Sequence, residues 1–295
     1  MSTARRRHRE EKYRICHHHA VPESDVGSRD LIDTRLRVLS WNVWWRFGPW
    51  ERRQPAIEAT LARIDADVVA LQEVWSEVGG RDQAGVLAER LGYHHAFAPG
   101  FDDGSVGFGL AVLSRWPIAE SEVRPLPSLP GVDELRIMLK AGIDGPRGRF
   151  DVFTTHLNWR YDESHVRQLQ VKALAEMVGE SDGRAYPAIV CGDLNAEPVS
   201  DEIRMLTGRA AVPVPRLVFV DAWDVAGDGP GYTWANANPF AARDLEADRR
   251  IDYVLVGWPK ARGAGHVVAA AVEAVDPVDG VHPSDHYAVL AELRY

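Results

Sequence analysis

Ala188-Ile189-Val190-Cys191-Gly192-Asp193-Leu194-Asn195 is an apolar run that stops at glycine and then offers a carboxylate and an amide. A short apolar run cut off by Gly-Asp reads as a buried strand with a polar end. The pattern recurs upstream. Leu36-Arg37-Val38-Leu39-Ser40-Trp41-Asn42 reads as a strand ending in an amide, and Val68-Val69-Ala70-Leu71-Gln72-Glu73 as one ending in a carboxylate. Phe150 to Thr155 is followed by His156, Asp252 stands at the start of the strand running to Val256, and Asp285-His286 precede the strand from Tyr287 to Leu293. Gly109 to Ser114 and the alternating stretch Glu134 to Ile143 supply further strands. Between them, Ile57, Leu61 and Ile64 fall on one face of a helix over Ala56 to Ile64, Val86 to Leu91 forms a short helix closed by Gly92, and Val166 to Val178 a longer one. Strands outnumber helices, and many adjoin without an intervening helix. That predicts an α/β fold of two packed sheets with helices outside and argues against a Rossmann arrangement. Segments 95–107 and 208–248, rich in Gly, Pro and polar residues, read as loops, where substrate specificity usually sits.

The chain has 295 residues, 45% apolar and 26% charged, enough to bury a large core without disulfides. Cys16 lies in a polar segment and Cys191 in an apolar run, so a disulfide framework is not expected and a reducing, cytoplasmic setting is the default. The net charge is −9; residues 1–14 hold six basic and two acidic side chains, which makes the remainder more acidic still. An acidic body weighs against a strong nonspecific DNA binder, although bound cations can invert the field at a site. The basic start has no apolar stretch behind it, so no secretory signal is read, and no run of about 18 apolar residues would span a membrane. Residues 1–34 read as a disordered basic tail, in which His17-His18-His19 is solvated, and residues 35–295 as one folded domain, expected to be monomeric.

The polar residues at the strand ends carry the chemistry. Taken singly, an Asp or Asn in such a place is usually a turn former or a cap. If the ends share one edge of the sandwich, they gather carboxylates, amides and two histidines. Oxygen donors of this kind suit a hard cation, Mg2+ or Mn2+, and a metal beside histidines suits hydrolysis of phosphate esters by activated water.

The set also has an order. Ser40-Trp41-Asn42, Leu71-Gln72-Glu73-Val74, Leu113-Ser114-Arg115, Thr155-His156-Leu157-Asn158, Gly192-Asp193-Leu194-Asn195, Arg250-Ile251-Asp252-Tyr253 and Ser284-Asp285-His286 closely resemble, in sequence, the motifs of the endonuclease/exonuclease/phosphatase superfamily, over about residues 36–295. The resemblance implies a four-layer α/β sandwich of two packed, mainly antiparallel sheets flanked by helices, with the site at one edge. By that resemblance Glu73 is the main metal-ligand carboxylate, Asn42 its neighbour, and Asp285 a residue close to the metal. Asp193 orients or deprotonates the attacking water, and Asn195 helps hold water and phosphate. His286 contacts the phosphate, and Asp252 orients His286. His156 matches the second histidine of the deoxyribonuclease and sphingomyelinase branches, where abasic-site endonucleases carry tyrosine. Asn158 and Arg136 are weighed as phosphate contacts against structural roles, and Trp44, Trp45 or Trp159 as the floor of a substrate pocket.

Three functions follow from the resemblance. The first is a phosphodiesterase on nucleic acid, a nucleotide or a phospholipid headgroup. The second is a phosphomonoesterase on a sugar or inositol phosphate, disfavoured because Tyr253 stands where the inositol-phosphatase branch usually has arginine. The third, a catalytically dead binding protein, is disfavoured because every catalytic position holds the expected residue type.

Overall fold

Two parallel strand pairs organise the protein. In the computed structural model, which describes residues 31–102, 104, 106–132, 134–181 and 185–295, β1 (Arg35–Asn42) and β2 (Val68–Glu77) pair in parallel. So do β7 (Gly148–His156) and β8 (Ile189–Asp193). A parallel pair needs a crossover, and each has a helix: α1 (Trp50–Ile64) for the first, α3 (Ser164–Glu180) for the second. The other pairings are antiparallel. β3 (His94–Asp102), β4 (Val106–Ser114), β11 (Val267–Glu273) and β12 (Ala288–Arg294) complete a sheet of order β11-β12-β1-β2-β4-β3. β5 (Ile118–Pro125), β6 (Ile137–Gly145), β9 (Phe219–Asp221) and β10 (Asp252–Gly257) complete the other, β5-β6-β7-β8-β10-β9.

The layers follow from which faces are apolar. Val38, Val68 and Val112 of the first sheet meet Leu139, Val152 and Ile189 of the second in a shared core. On the outer face of the first sheet, Ile57 and Leu61 of α1 and Leu87 of α2 (Gln83–Leu91) cover Leu39, Leu71 and Leu113. On the other side, Val171 and Leu174 of α3 and Ile203 of α4 (Asp201–Leu206) cover Phe153, Val190 and Leu255. Helix, sheet, sheet and helix make the expected four-layer sandwich. Each fully buried aliphatic side chain contributes roughly 1.5–3 kcal/mol.

The structure corrects the sequence reading at the sheet edges. Segment 95–107 is not a loop throughout: His94–Asp102 is a strand, with a register shift between Pro99 and Phe101. It lies at a sheet edge, the place where a strand tolerates proline. Segment 208–248 contains β9 and the one-turn helix α5 (Ala222–Ala226). β5 and β11 went unread. Helix α1 begins at Trp50 rather than Ala56 and runs through Pro55. The readings of Cys16, the His17 to His19 run and nearly all of the 1–34 tail fall outside the described residues.

Candidate active site

One close contact between strands sets the site. A Cβ at Gly192 would stand 2.3 Å from the Thr155 carbonyl oxygen, so β7 and β8 approach here only because residue 192 has no side chain. The register then places His156 opposite Asp193, and Asp193 opposite Asp252 on β10. Three strand ends thus align a histidine and two carboxylates in one row. From the first sheet, Asn42 at the end of β1 joins them: its Nδ2 donates to Asp193 Oδ2 at 3.1 Å and to Glu73 Oε1 at 3.0 Å.

Glu73 is turned into the site by its backbone. The β2–β4 register shifts between Leu71 and Val74, and Glu73 inside that bulge has φ +56°. A bulge re-aims a side chain, and a left-handed residue other than glycine costs on the order of 1–2 kcal/mol. Asp285 and His286 arrive on the turn before β12. Ser284 ties that turn to β1, its Oγ donating to the Asn42 carbonyl at 2.7 Å.

The two histidines differ in charge. Burial would lower the His286 pKa, but the carboxylates of Asp252 and Asp193 outweigh it and hold the imidazole well above its ordinary value. Its Nδ1 lies 2.9 Å from Asp252 Oδ2, and its Nε2 is 3.7 Å from Asp193 Oδ2. His156 goes the other way: burial, with Arg136 nearby, lowers it to about 3. Its Nε2 sits 3.4 Å from the same Asp193 oxygen. One carboxylate oxygen therefore lies between a charged and a neutral imidazole. Asp193 Oδ1 accepts the backbone N–H of Asn195 at 3.0 Å, while the Asn195 amide donates to the Leu157 carbonyl at 3.1 Å.

The donor set fits a hard divalent cation. Glu73 Oε2 is buried and has no hydrogen-bond partner among the described residues. Burial raises the Glu73 pKa, with the Asn42 amide opposing, and pushes Asp285 up to about 8. Two buried carboxylates drawn toward neutrality are what a cation would relieve. Asp193, Asp252 and His286 also lie close enough together to share an ion. There, however, His286 Nδ1 is already engaged by Asp252, so Glu73 with Asn42 and Asp285 is the better oxygen site.

These groups open onto a cleft of about 630 Å3. Arg136 lines it, paired with Glu134 at 2.9 Å. Trp44 and Trp159 line it too, as does Trp234, which sequence reasoning did not single out and whose ring stands edge-on to His286 at 5.0 Å. Trp45 instead donates its indole N–H to the Gly107 carbonyl. Asn158 does not reach the cleft. It is fully buried, its Nδ2 donates to Glu163 at 2.9 Å, and its Oδ1 accepts from Gln170 at 2.6 Å. The amide is spent on bracing the loop after β7, so the expected phosphate contact is withdrawn.

Arg53 was also missed. It is buried in α1 and donates to five carbonyls: Val43, Trp44, Trp45 and Phe47 after β1, and Pro283 before Asp285. A signal existed, since Arg53 lies one helical turn before Ile57 on the buried face. The loop 227–248 is anchored similarly. Thr233 Oγ1 accepts the Asp252 N–H at 3.2 Å, and Asn238 Nδ2 donates to the Ser284 and Asp285 carbonyls.

Known proteins resemble this chain over most of its length. A model of the Endonuclease/Exonuclease/phosphatase family matches residues 39–286. An inositol phosphosphingolipids phospholipase C of Schizosaccharomyces pombe is 28% identical over 86% of this chain and 67% of its own. Sphingomyelin phosphodiesterase 2 of Rattus norvegicus is 27% identical over 88% of this chain and 64% of its own. The chain thus spans about two thirds of the length of these curated relatives. Among solved structures, an endonuclease/exonuclease/phosphatase from Beutenbergia cavernae DSM 12333 superposes with TM-score 0.67 at 26% identity, covering 88% of this chain and 71% of that one. The human Nocturnin catalytic domain shares the fold, with TM-score 0.65 at 22% identity over 89% of this chain and 96% of that one. With its family model covering every site residue named above, the chain belongs to the endonuclease/exonuclease/phosphatase family.

Proposed function

We propose that the protein is a divalent-metal-dependent phosphodiesterase acting on the phosphodiester of a phospholipid headgroup. The observation that carries this reading is the row His156, Asp193 and Asp252, with His286 held 2.9 Å from Asp252. Glu73, Asn42 and Asp285 would hold the cation, Mg2+ or Mn2+, which when bound would offset charge on the phosphate oxygens. Asp193 orients the attacking water and takes its proton. Neutral His156, beside the same carboxylate oxygen, steadies that water. His286, kept protonated by Asp252, hydrogen-bonds from Nε2 to a phosphate oxygen and gives that proton to the leaving alkoxide as its P–O bond breaks. Asn195, fixed on the Leu157 carbonyl, keeps the loop after β8 against the water and phosphate.

The substrate class rests on two supports. The two curated relatives are named for inositol phosphosphingolipids and for sphingomyelin, both lipid phosphodiesters. The cleft arginines, Arg136 and Arg249, are each paired with a glutamate, and the chain carries −9 overall, a poor match to a polyanionic nucleic acid. Phosphomonoesterase activity is the lesser reading. Tyr253 is buried, its hydroxyl donating to the Ala196 carbonyl at 2.7 Å, so it brings no cation to the cleft.

The test is a pair of initial rates, on bis-p-nitrophenyl phosphate and p-nitrophenyl phosphate, with Mg2+ or Mn2+ and with chelator. Faster metal-dependent cleavage of the diester supports the reading. Short-chain phospholipids and single-stranded DNA, compared next, decide the substrate class. Full activity after exhaustive chelation would sink the mechanism.

A further inference from the structure

Large apolar side chains stand in water around the mouth of the catalytic cleft. Leu245 at 90% and Val199 at 81% are the most exposed large apolar side chains among the described residues, and Leu135 is 69% exposed. Leu245 sits between Asp244 and Glu246, both of which line the cleft. Leu135 sits between Glu134 and Arg136, which also line it. Val199 and Tyr161 border a trough of about 320 Å3 that shares Asn195 and Arg249 with the cleft. Phe47 and Trp159, 47% and 50% exposed, are themselves part of the cleft wall. The six come from five separate loops, so no single helix or strand periodicity explains their convergence. Leu245 is held outward by a left-handed backbone, φ +57°, which a leucine adopts only at a cost. An apolar set of this size, gathered at one place, marks an interaction surface.

The charges at the same mouth say what kind. Glu134 pairs with Arg136, Glu246 with Arg249, Arg160 with Glu163, and Asp201 with Arg204. Basic and acidic side chains alternate there in pairs rather than forming a basic patch of the sort that anionic lipid attracts. The chain as a whole, at −9, is repelled by an anionic surface. Apolar tips among paired charges complement a zwitterionic lipid interface, in which the tips reach the acyl boundary and the pairs lie among the headgroups.

We propose that the ring Phe47, Leu135, Trp159, Tyr161, Val199 and Leu245 docks the protein onto a zwitterionic phospholipid bilayer with the catalytic cleft facing the membrane. The proposal rests on the phospholipid reading of the site and adds how that site meets its substrate. No helix among the described residues is long and apolar enough to cross a membrane.

The test is co-sedimentation of the full chain with sucrose-loaded phosphatidylcholine vesicles, in chelator so that no lipid is consumed. It compares the native chain, the double variant Leu135→Glu with Leu245→Glu, and Trp258→Glu. Trp258 is 70% exposed, next to Gly257 at the far end of β10 from Asp252, and serves as a control for general surface hydrophobicity. The native chain and the Trp258 variant are expected to sediment. The double variant is expected to lose at least about ten-fold in partition, since each leucine forfeits apolar burial. Turnover of bis-p-nitrophenyl phosphate, which needs no membrane, is expected to be unchanged in both variants. A native chain that fails to sediment, or a double variant that sediments equally, overturns the docking. So does a native dimer that the double variant dissolves, since the ring then serves a second copy. Diester turnover without sedimentation overturns docking alone. Sedimentation by a chain that cleaves no diester supports docking and removes the activity reading.

Discussion

Asp193 has four polar neighbours: Asn42 and Asn195 donate to its two oxygens, and the imidazoles of His156 and His286 flank it at 3.4 and 3.7 Å. Asp193→Asn keeps the shape and removes the base. Turnover should fall by about 10²- to 10⁴-fold with the melting temperature nearly unchanged. Retained activity with an unchanged melting curve would take Asp193 out of the reaction. Asp252 acts through His286. Burial alone would lower the imidazole pKa, and the Asp252 carboxylate is the first of the groups that raise it. Asp252→Asn should therefore let His286 lose its proton at lower pH. In the proposed mechanism the protonated ring is the working form, so the alkaline limb of the kcat/KM profile should move downward in pH, along with a loss of about ten-fold or more. A lowered rate with an unmoved alkaline limb would leave Asp252 a packing residue.

Elements differ in how plainly the sequence announces them, and the difference follows burial. All eight interior strands were legible, β6 as an alternating stretch and the others as apolar runs, because each is paired on both sides and covered by core. The strands that escaped, β3, β5, β9 and β11, are the four sheet edges. β5 shows why: Glu120, Ser121 and Glu122 are all exposed, so it has no apolar alternation to read. The site was legible for the same reason as the interior strands, since its residues sit where those strands end. Arg53 was not, because the helical spacing was read only from Ala56 onward and the helix begins at Trp50. Its five carbonyl partners make a strong prediction. Arg53→Met strands those carbonyls in a buried place and should cost about 3–5 kcal/mol, read as a lower denaturation midpoint. Gly192→Ala tests the strand contact. With a Cβ 2.3 Å from the Thr155 oxygen, β7 and β8 must part, so stability and turnover should fall together. Normal turnover in a stable Gly192→Ala protein would show that the His156–Asp193 alignment tolerates more slack than the geometry implies.

At the scale of the whole molecule, the two sheets share an apolar core and are also joined at one end by polar side chains. Asn42 and Glu73 come from one sheet, His156, Asp193 and Asp252 from the other, and Asn42 Nδ2 bridges them. That end holds buried carboxylates with an unsatisfied oxygen on Glu73, an arrangement that opposes folding until a cation occupies it. Binding to the folded state alone stabilises by RT ln(1 + [L]/Kd), about 2.7 kcal/mol at a hundred times Kd. Mg2+ or Mn2+ should therefore raise the melting temperature by several degrees, and Ca2+-free chelation should reverse it. Glu73→Gln keeps the Asn42 contact possible but removes the charge. Its metal-free melting temperature should equal or exceed that of the native chain, because a buried carboxylate has gone, while the metal-induced rise should vanish. A native chain whose melting temperature ignores both metals would refute the cation site without reference to any substrate. A Glu73→Gln protein that still responds would move the site onto Asp193, Asp252 and His286, the other group close enough to share an ion.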